Sequence, residues 1–325
     1  MTNTRKIGYG IVLALSAALL VLGAFFDKNV ADILYQPDNI GARIMESVGI
    51  FPPFIFLGSL FVVLFYLIKD EDKKATLKRV LTTVGASLVY LVFGYMATDE
   101  LLEGALSRLL IALGASCMLT PLTFLVFRKR ARETLKRLVI FLIFASIVSV
   151  ISSLITINVL KYFWGRARYR EMMAEGDYLL EGFTAWYHPN GFTLHGHHSF
   201  PSGHTCSATN FLVLCALPEV FPEAENGKKT VAIVAGIYIF SMAYSRMVLG
   251  AHFLSDVTGG FLIGFLTYLI ARYLYFDKSS IVAKAILEIN RGEEIPPANE
   301  PLSEGEEGIL PQPESPEESS ADQDA

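Results

Sequence analysis

Three short stretches of this sequence gather ionisable side chains of complementary types. The first, KYFWGRAR, offers Lys161, Arg166 and Arg168, with Arg170 just beyond. A planar guanidinium and a mobile ammonium are the usual means of holding phosphate oxygens. The second, FPSGHT (200–205), has a proline where a helix start tolerates its missing N–H, Ser202 as a candidate N-cap, and Gly203 where a ligand can approach the backbone. Free N–H groups and the positive end of a helix dipole favour an anion there, and His204 adds a titratable imidazole. The third, SRMVLGAHFLSD (245–256), holds Arg246, His252 and Asp256. The four-residue spacing predicts that His252 and Asp256 share a helical face. An Asp that accepts the Nδ1–H of an imidazole fixes its tautomer and leaves Nε2 as nucleophile or base. Each stretch alone has a bland reading: a basic run at a membrane boundary, a capped helix with an incidental histidine, a structural His–Asp pair. Together they supply cations, backbone donors, an attacking histidine and a second to protonate a leaving group. That is the equipment of phosphoryl transfer, which needs mostly positioning and charge stabilisation. No acidic cluster with metal-ligand spacing accompanies them, so the arginines take the part of Mg²⁺ and no cofactor is expected.

These side chains must be positioned by a very apolar chain. Of its 325 residues 52% are hydrophobic and 18% charged, with mean hydropathy +0.43, which suits a bilayer rather than a water-soluble core. A spanning helix needs about 20 mostly apolar residues. Eight stretches qualify, near 7–26, 50–68, 80–98, 109–127, 138–160, 203–220, 231–249 and 253–276. The first reads as an uncleaved helix, since no clear small-residue cleavage site precedes Asp27. The fold class is therefore all-α, a polytopic membrane bundle of about eight helices. Positive charge sets its orientation: the stretch 69–79 holds five Lys/Arg and 128–137 holds six, whereas 27–49 and 99–108 together hold Lys28, Arg43 and Arg108. Both chain ends then lie in the cytoplasm, and the three charged stretches, with the loop 161–202, lie outside. The net charge of −5 hides an asymmetry: from Arg291 onward there are eleven Asp/Glu and one Arg. That Pro/Glu/Ser-rich tail reads as disordered, and 279–290 as a short amphipathic helix at the inner surface.

Taken in order, the three stretches resemble the signature of the type 2 phosphatidic acid phosphatase superfamily, which also includes vanadium-dependent haloperoxidases. The family pattern is K-x6-R-P, then P-S-G-H, then S-R-x5-H-x3-D. Lys161 and Arg168 match the first, Pro201–His204 the second, and Ser245, Arg246, His252 and Asp256 the third. The resemblance covers roughly 138–276, with a six-helix core reaching back to about 80. The expected division is thus 1–79 (two N-terminal helices and a basic loop), 80–276 (phosphatase core) and 277–325 (amphipathic segment and acidic tail). The resemblance implies that His252 attacks phosphorus, Asp256 orients it, and His204 protonates the leaving alkoxide. It implies that Lys161, Arg168, Arg246 and the N–H groups of Ser202 and Gly203 hold phosphoryl oxygens, without a metal. Arg166 is added here from its place in the same stretch. The chain departs from the pattern at Tyr169, where the family has proline.

The expected activity is hydrolysis of a lipid phosphate or pyrophosphate at the outer face of what looks like a bacterial plasma membrane. Phosphatidate, phosphatidylglycerophosphate and polyprenyl pyrophosphate are the substrates in view, and no nucleic-acid partner is expected. Alternatives are a phosphotransferase using the same phosphohistidine, a haloperoxidase, and a non-catalytic lipid binder or transporter. His195, His197 and His198 could form a metal tract but lack clear partners. Trp164, Trp186 and Tyr187 suit the lipid–water boundary. Cys117, Cys206 and Cys215 read as small buried apolar side chains.

Overall fold

The computed structural model describes residues 3–98, 102, 104–174, 182–193, 196–277 and 280–293; His195 and the tail from 294 lie outside them. Long apolar runs uninterrupted by turn residues become helices, as the patterning predicts, and every regular element among the described residues is helical. In chain order these are α1 (Asn3–Leu34), α2 (Ile40–Val48), α3 (Phe51–Leu67), α4 (Ala75–Ala97), α5 (Ala105–Phe127) and α6 (Arg132–Ser149). A π-helical stretch (Val150–Thr156) joins α6 to α7 (Ile157–Trp164). Then follow α8 (Tyr169–Ala174), α9 (Gly203–Thr209), two 3₁₀ helices (Asn210–Glu219 and Pro222–Gly227), α10 (Lys228–Val248), α11 (Leu254–Tyr275) and α12 (Ile281–Glu293).

The chain is an all-α polytopic bundle. Among the described residues seven helices are long and apolar enough to cross a membrane. The eighth expected span, 203–220, differs: it is α9 followed by ten residues of 3₁₀ helix. At 1.5 Å per α residue and 2.0 Å per 3₁₀ residue, those 17 residues still extend about 30 Å, close to the thickness of a hydrocarbon core. The π stretch opposite it is tied to the 3₁₀ start: Ser152 Oγ donates to Asn210 Oδ1 at 3.0 Å, and Asn210 Nδ2 donates to Ser153 Oγ at 2.8 Å. A core of Phe56, Phe141, Phe144, Val148, Val213 and Tyr268 joins α3, α6, the first 3₁₀ helix and α11.

The run from Arg132 to Trp164 is one continuous rod, with the basic stretch 128–137 at one end and Lys161 at the other. Likewise α10 begins at Lys228 and ends beside Arg246. All three charged stretches therefore gather at the end of the bundle opposite the basic loops. Helix α1 runs past its apolar part to Leu34, and the segment expected to be the loop 27–49 contains α2. Asn39 caps α2 by accepting the Ala42 N–H at 2.9 Å. Gln36 N–H donates to the Val248 carbonyl at 2.7 Å, which seats α2 on the end of α10. Of the three cysteines Cys206 and Cys215 are buried, whereas Cys117 is exposed on α5.

Candidate active site

The centre is organised by the turn between α10 and α11. Arg246 lies in the last turn of α10, and its carbonyl accepts the N–H groups of Ala251 (3.1 Å) and His252 (3.2 Å). That fold-back needs Gly250, at φ +61°: a Cβ there would stand 2.7 Å from the Tyr35 ring and 3.2 Å from the Arg170 nitrogen. Because α11 starts at Leu254, His252 precedes the helix, and the shared helical face expected from its spacing to Asp256 does not form. His252 Nδ1 instead lies 2.6 Å from the Ser199 carbonyl and 3.9 Å from Asp256 Oδ2. A carbonyl can only accept, so Nδ1 carries the proton and Nε2 the lone pair.

Asp256 acts at one remove. Its Oδ2 accepts Ser199 Oγ–H at 2.5 Å and the Phe253 N–H at 2.8 Å, capping α11, while its Oδ1 accepts from Arg166 at 2.6 Å. It holds the residue that holds the histidine. Ser199 carried no signal in the sequence beyond preceding FPSGH.

Arg166 does not join the phosphate cations. It is 1% exposed. Nε donates to the Thr184 carbonyl at 2.9 Å, Nη1 to Ser255 Oγ and Asp256 Oδ1, and Nη2 to Asp27 Oδ2 at 2.9 Å. The guanidinium also lies over the Phe253 ring, 4.3 Å from its centroid. Four of its five N–H groups are taken by protein acceptors, so its work is internal. Asp27, from α1, also accepts the Ser255 N–H at 2.9 Å and the Ser255 hydroxyl. Tyr169 reinforces this junction: it is buried, donates to Asp32 Oδ1 at 2.7 Å, and packs edge-on against Tyr35 and Phe253. The tyrosine in place of the family proline thus docks the C-terminal end of α1.

Ser202 caps α9 as its type predicts, its Oγ accepting from Thr205. Its own N–H donates to the Asp256 carbonyl at 2.9 Å and is not available to a phosphate, contrary to expectation. Gly203 lies beside Lys161: a Cβ on it would be 3.4 Å from Lys161 Nζ. Lys161, Gly203 and His204 line a cavity of about 340 Å³ that runs between α3, α4 and α6–α7, past Phe54, Leu57 and Tyr95 to Ser146. Arg168 is half-buried and near Glu171, at 3.7 Å. Burial first, and then the positive charges of Arg246, Lys161 and Arg168 with His204, hold His252 well below the usual histidine range. His252 is therefore neutral and surrounded by the cations a phosphoryl group would need. Arg246 Nε is buried without a hydrogen-bond partner.

The remaining loop residues have local partners. His197 Nδ1 stands 3.4 Å from Glu171, and His198 Nε2 3.4 Å from the Thr193 carbonyl. Trp164 and Trp186 pack around Phe200, and Trp186 Nε1 donates to the Leu20 carbonyl of α1 at 2.9 Å.

Residues 142–280 match the PAP2 superfamily. That stretch, under half of the chain, is similar to a PAP2 superfamily domain. It begins within α6 and leaves α1–α5 outside. The chain is also similar to phosphatidylglycerophosphatase B of Bacillus subtilis (strain 168), 38% identical over 76 residues; the match spans 23% of this chain and 37% of that relative. No solved structure matches the chain.

Proposed function

We propose that the protein is an integral-membrane phosphatase that releases phosphate from a lipid phosphate or pyrophosphate through a phosphohistidine. The observation that carries this is the neutral, buried His252, with Nδ1–H spent on the Ser199 carbonyl and Nε2 left basic among Lys161, Arg168, Arg246 and His204. Nε2 attacks phosphorus; the N–P bond forms as the P–O bond to the lipid breaks, and His204, which takes up a proton when the phosphoryl anion binds beside it, gives that proton to the leaving oxygen. Water then attacks, passing a proton to His204, and the N–P bond breaks to free phosphate and His252. Lys161, Arg168 and Arg246 neutralise the charge on the equatorial oxygens. The adjoining cavity, with Ile50, Pro53, Phe54, Leu57 and Ile157 in its lining, suits a hydrocarbon-bearing substrate.

The site lies at the end of the bundle opposite the basic stretches 69–79 and 128–137. By the positive-inside rule that end faces outward, and an even number of crossings, counting α9 with its 3₁₀ extension, keeps both chain ends inside. The name of the Bacillus relative makes phosphatidylglycerophosphate the first substrate to try, beside phosphatidate and polyprenyl pyrophosphate. The test is phosphate release in detergent with EDTA present, wild type against His252→Ala. Release by wild type alone is expected. Equal release from both, or none from wild type on any of these lipids, would overturn the assignment.

A further inference from the structure

The PAP2-like stretch does not contain every residue that touches the centre. Helix α2, from outside residues 142–280, puts Glu46 there, 5% exposed. Its Oε1 accepts from Arg246 Nη1 and lies 3.4 Å from Arg170 Nη1. Its backbone lies beside the His204 ring, and it lines the same cavity as Lys161 and His204. One residue from an N-terminal helix thus touches both an arginine and a histidine of the centre.

A carboxylate here works against the binding of an anion, because a phosphoryl group brings about two negative charges to the same arginine. Its benefit is geometric. A guanidinium is a rigid planar fork. With Nη1 held by Glu46, rotation about the side chain is fixed, and the Nε that has no acceptor is left for a phosphoryl oxygen. Resting on the phosphatase reading above, we propose that Glu46 is a positioning residue that sets Arg246 for phosphoryl binding through its hydrogen bond, so that α2 is an integral part of the reaction centre.

The distinction between a hydrogen-bond acceptor and a counter-charge can be tested with two nearly isosteric variants of the full chain. Glu46→Gln keeps an acceptor at the same reach and removes the charge. Glu46→Asp keeps the charge and draws the oxygen back by about 1.5 Å, one C–C step. Both keep a polar partner for Arg246, which guards folding. Misplacing a catalytic group by about 1 Å costs on the order of 100-fold in rate. The expected result is that Glu46→Asp loses about 30- to 100-fold in kcat/KM, mostly in kcat, while Glu46→Gln stays within about threefold of wild type. In parallel, the rise in Tm on adding orthovanadate is expected to shrink in Glu46→Asp and to persist or grow in Glu46→Gln. Wild-type behaviour of both variants, or a Gln variant that fails while the Asp variant survives, would overturn the proposal; the latter would make Glu46 a counter-ion only. If wild type cleaves none of the lipids, the phosphatase reading fails by itself, and the orthovanadate shifts still decide whether Glu46 sets Arg246 for an oxyanion.

Discussion

The closest backbone approach in the centre lies between α11 and the loop that carries His204, and one methyl group tests it. Gly260 faces the start of α9: a Cβ on it would fall 2.2 Å from the Ser202 carbonyl oxygen and 3.1 Å from its carbon. Carbon–oxygen contacts settle near 3.3 Å, so Gly260→Ala creates an overlap of about 1 Å. The carbonyl cannot swing aside, because it accepts the Cys206 N–H at 3.1 Å in the first turn of α9. Nor can the loop turn freely, because the Ser202 N–H is bound to the Asp256 carbonyl. The stretch 201–204 must therefore retreat from α11, taking His204 away from His252 by about the overlap. Overpacking of this kind costs about 1–3 kcal/mol, a fall of roughly 3 °C in Tm for each kcal/mol. A shift of about 1 Å between reacting groups costs about 100-fold in rate. The expected variant is folded, a few degrees less stable, and about two orders of magnitude slower in phosphate release per folded molecule. Gly236→Ala on α10, where a Cβ meets nothing within 4 Å, is the control, with unchanged activity and stability equal or higher by up to about 1 kcal/mol. A Gly260→Ala enzyme within threefold of wild type would refute the inference that α11 and the His204 loop are held at van der Waals limit for the sake of the centre.

Two further outcomes follow from the same geometry. If His204 protonates the leaving oxygen, His204→Ala should lose at least tenfold less activity on p-nitrophenyl phosphate, whose leaving group needs no proton, than on a lipid alkoxide; equal losses on both would remove it from that role. His252 is held below the usual histidine range by burial and by Arg246, Lys161, Arg168 and His204, so below about pH 6.5 the unfolded chain takes up a proton that the folded one refuses. Its contribution to stability is fully present above pH 6.5 and is lost as pH falls toward the folded value, with a slope approaching about 1.4 kcal/mol per pH unit. Denaturation at pH 5 and 7 should show wild type losing more stability on acidification than His252→Gln.

How much of this was legible in the sequence depends on how far apart the partners lie in the chain. The apolar runs are local and strong, and they become helices; the type and order of the residues in the three charged stretches are local too, and Lys161, Gly203 and His204 do line one cavity. The errors came where a local rule was applied across an unseen boundary. A spacing of four implies a shared face only inside a helix, and Gly250 delays α11 to Leu254, so the Ser199 carbonyl takes the proton assigned to Asp256. Arg166 sits in a basic run, yet its role is set by Asp27, 139 positions away. Glu46 lies 200 positions from Arg246. Neither acid is part of a motif: Asp27 looks like the polar edge of a first span, and Glu46 like one charge in a loop. The one usable signal was their setting. A lone carboxylate near membrane depth is costly unless paired, and the centre's arginines, Arg166 and Arg246, are both buried. Each receives one of these two acids. The N-terminal helices, which family resemblance leaves aside, therefore balance part of the charge that residues 142–280 concentrate, and removing α1 and α2 would take the Glu46 carboxylate from buried Arg246 and leave Arg166 with Asp256 alone of its two carboxylates, as well as uncover apolar surface.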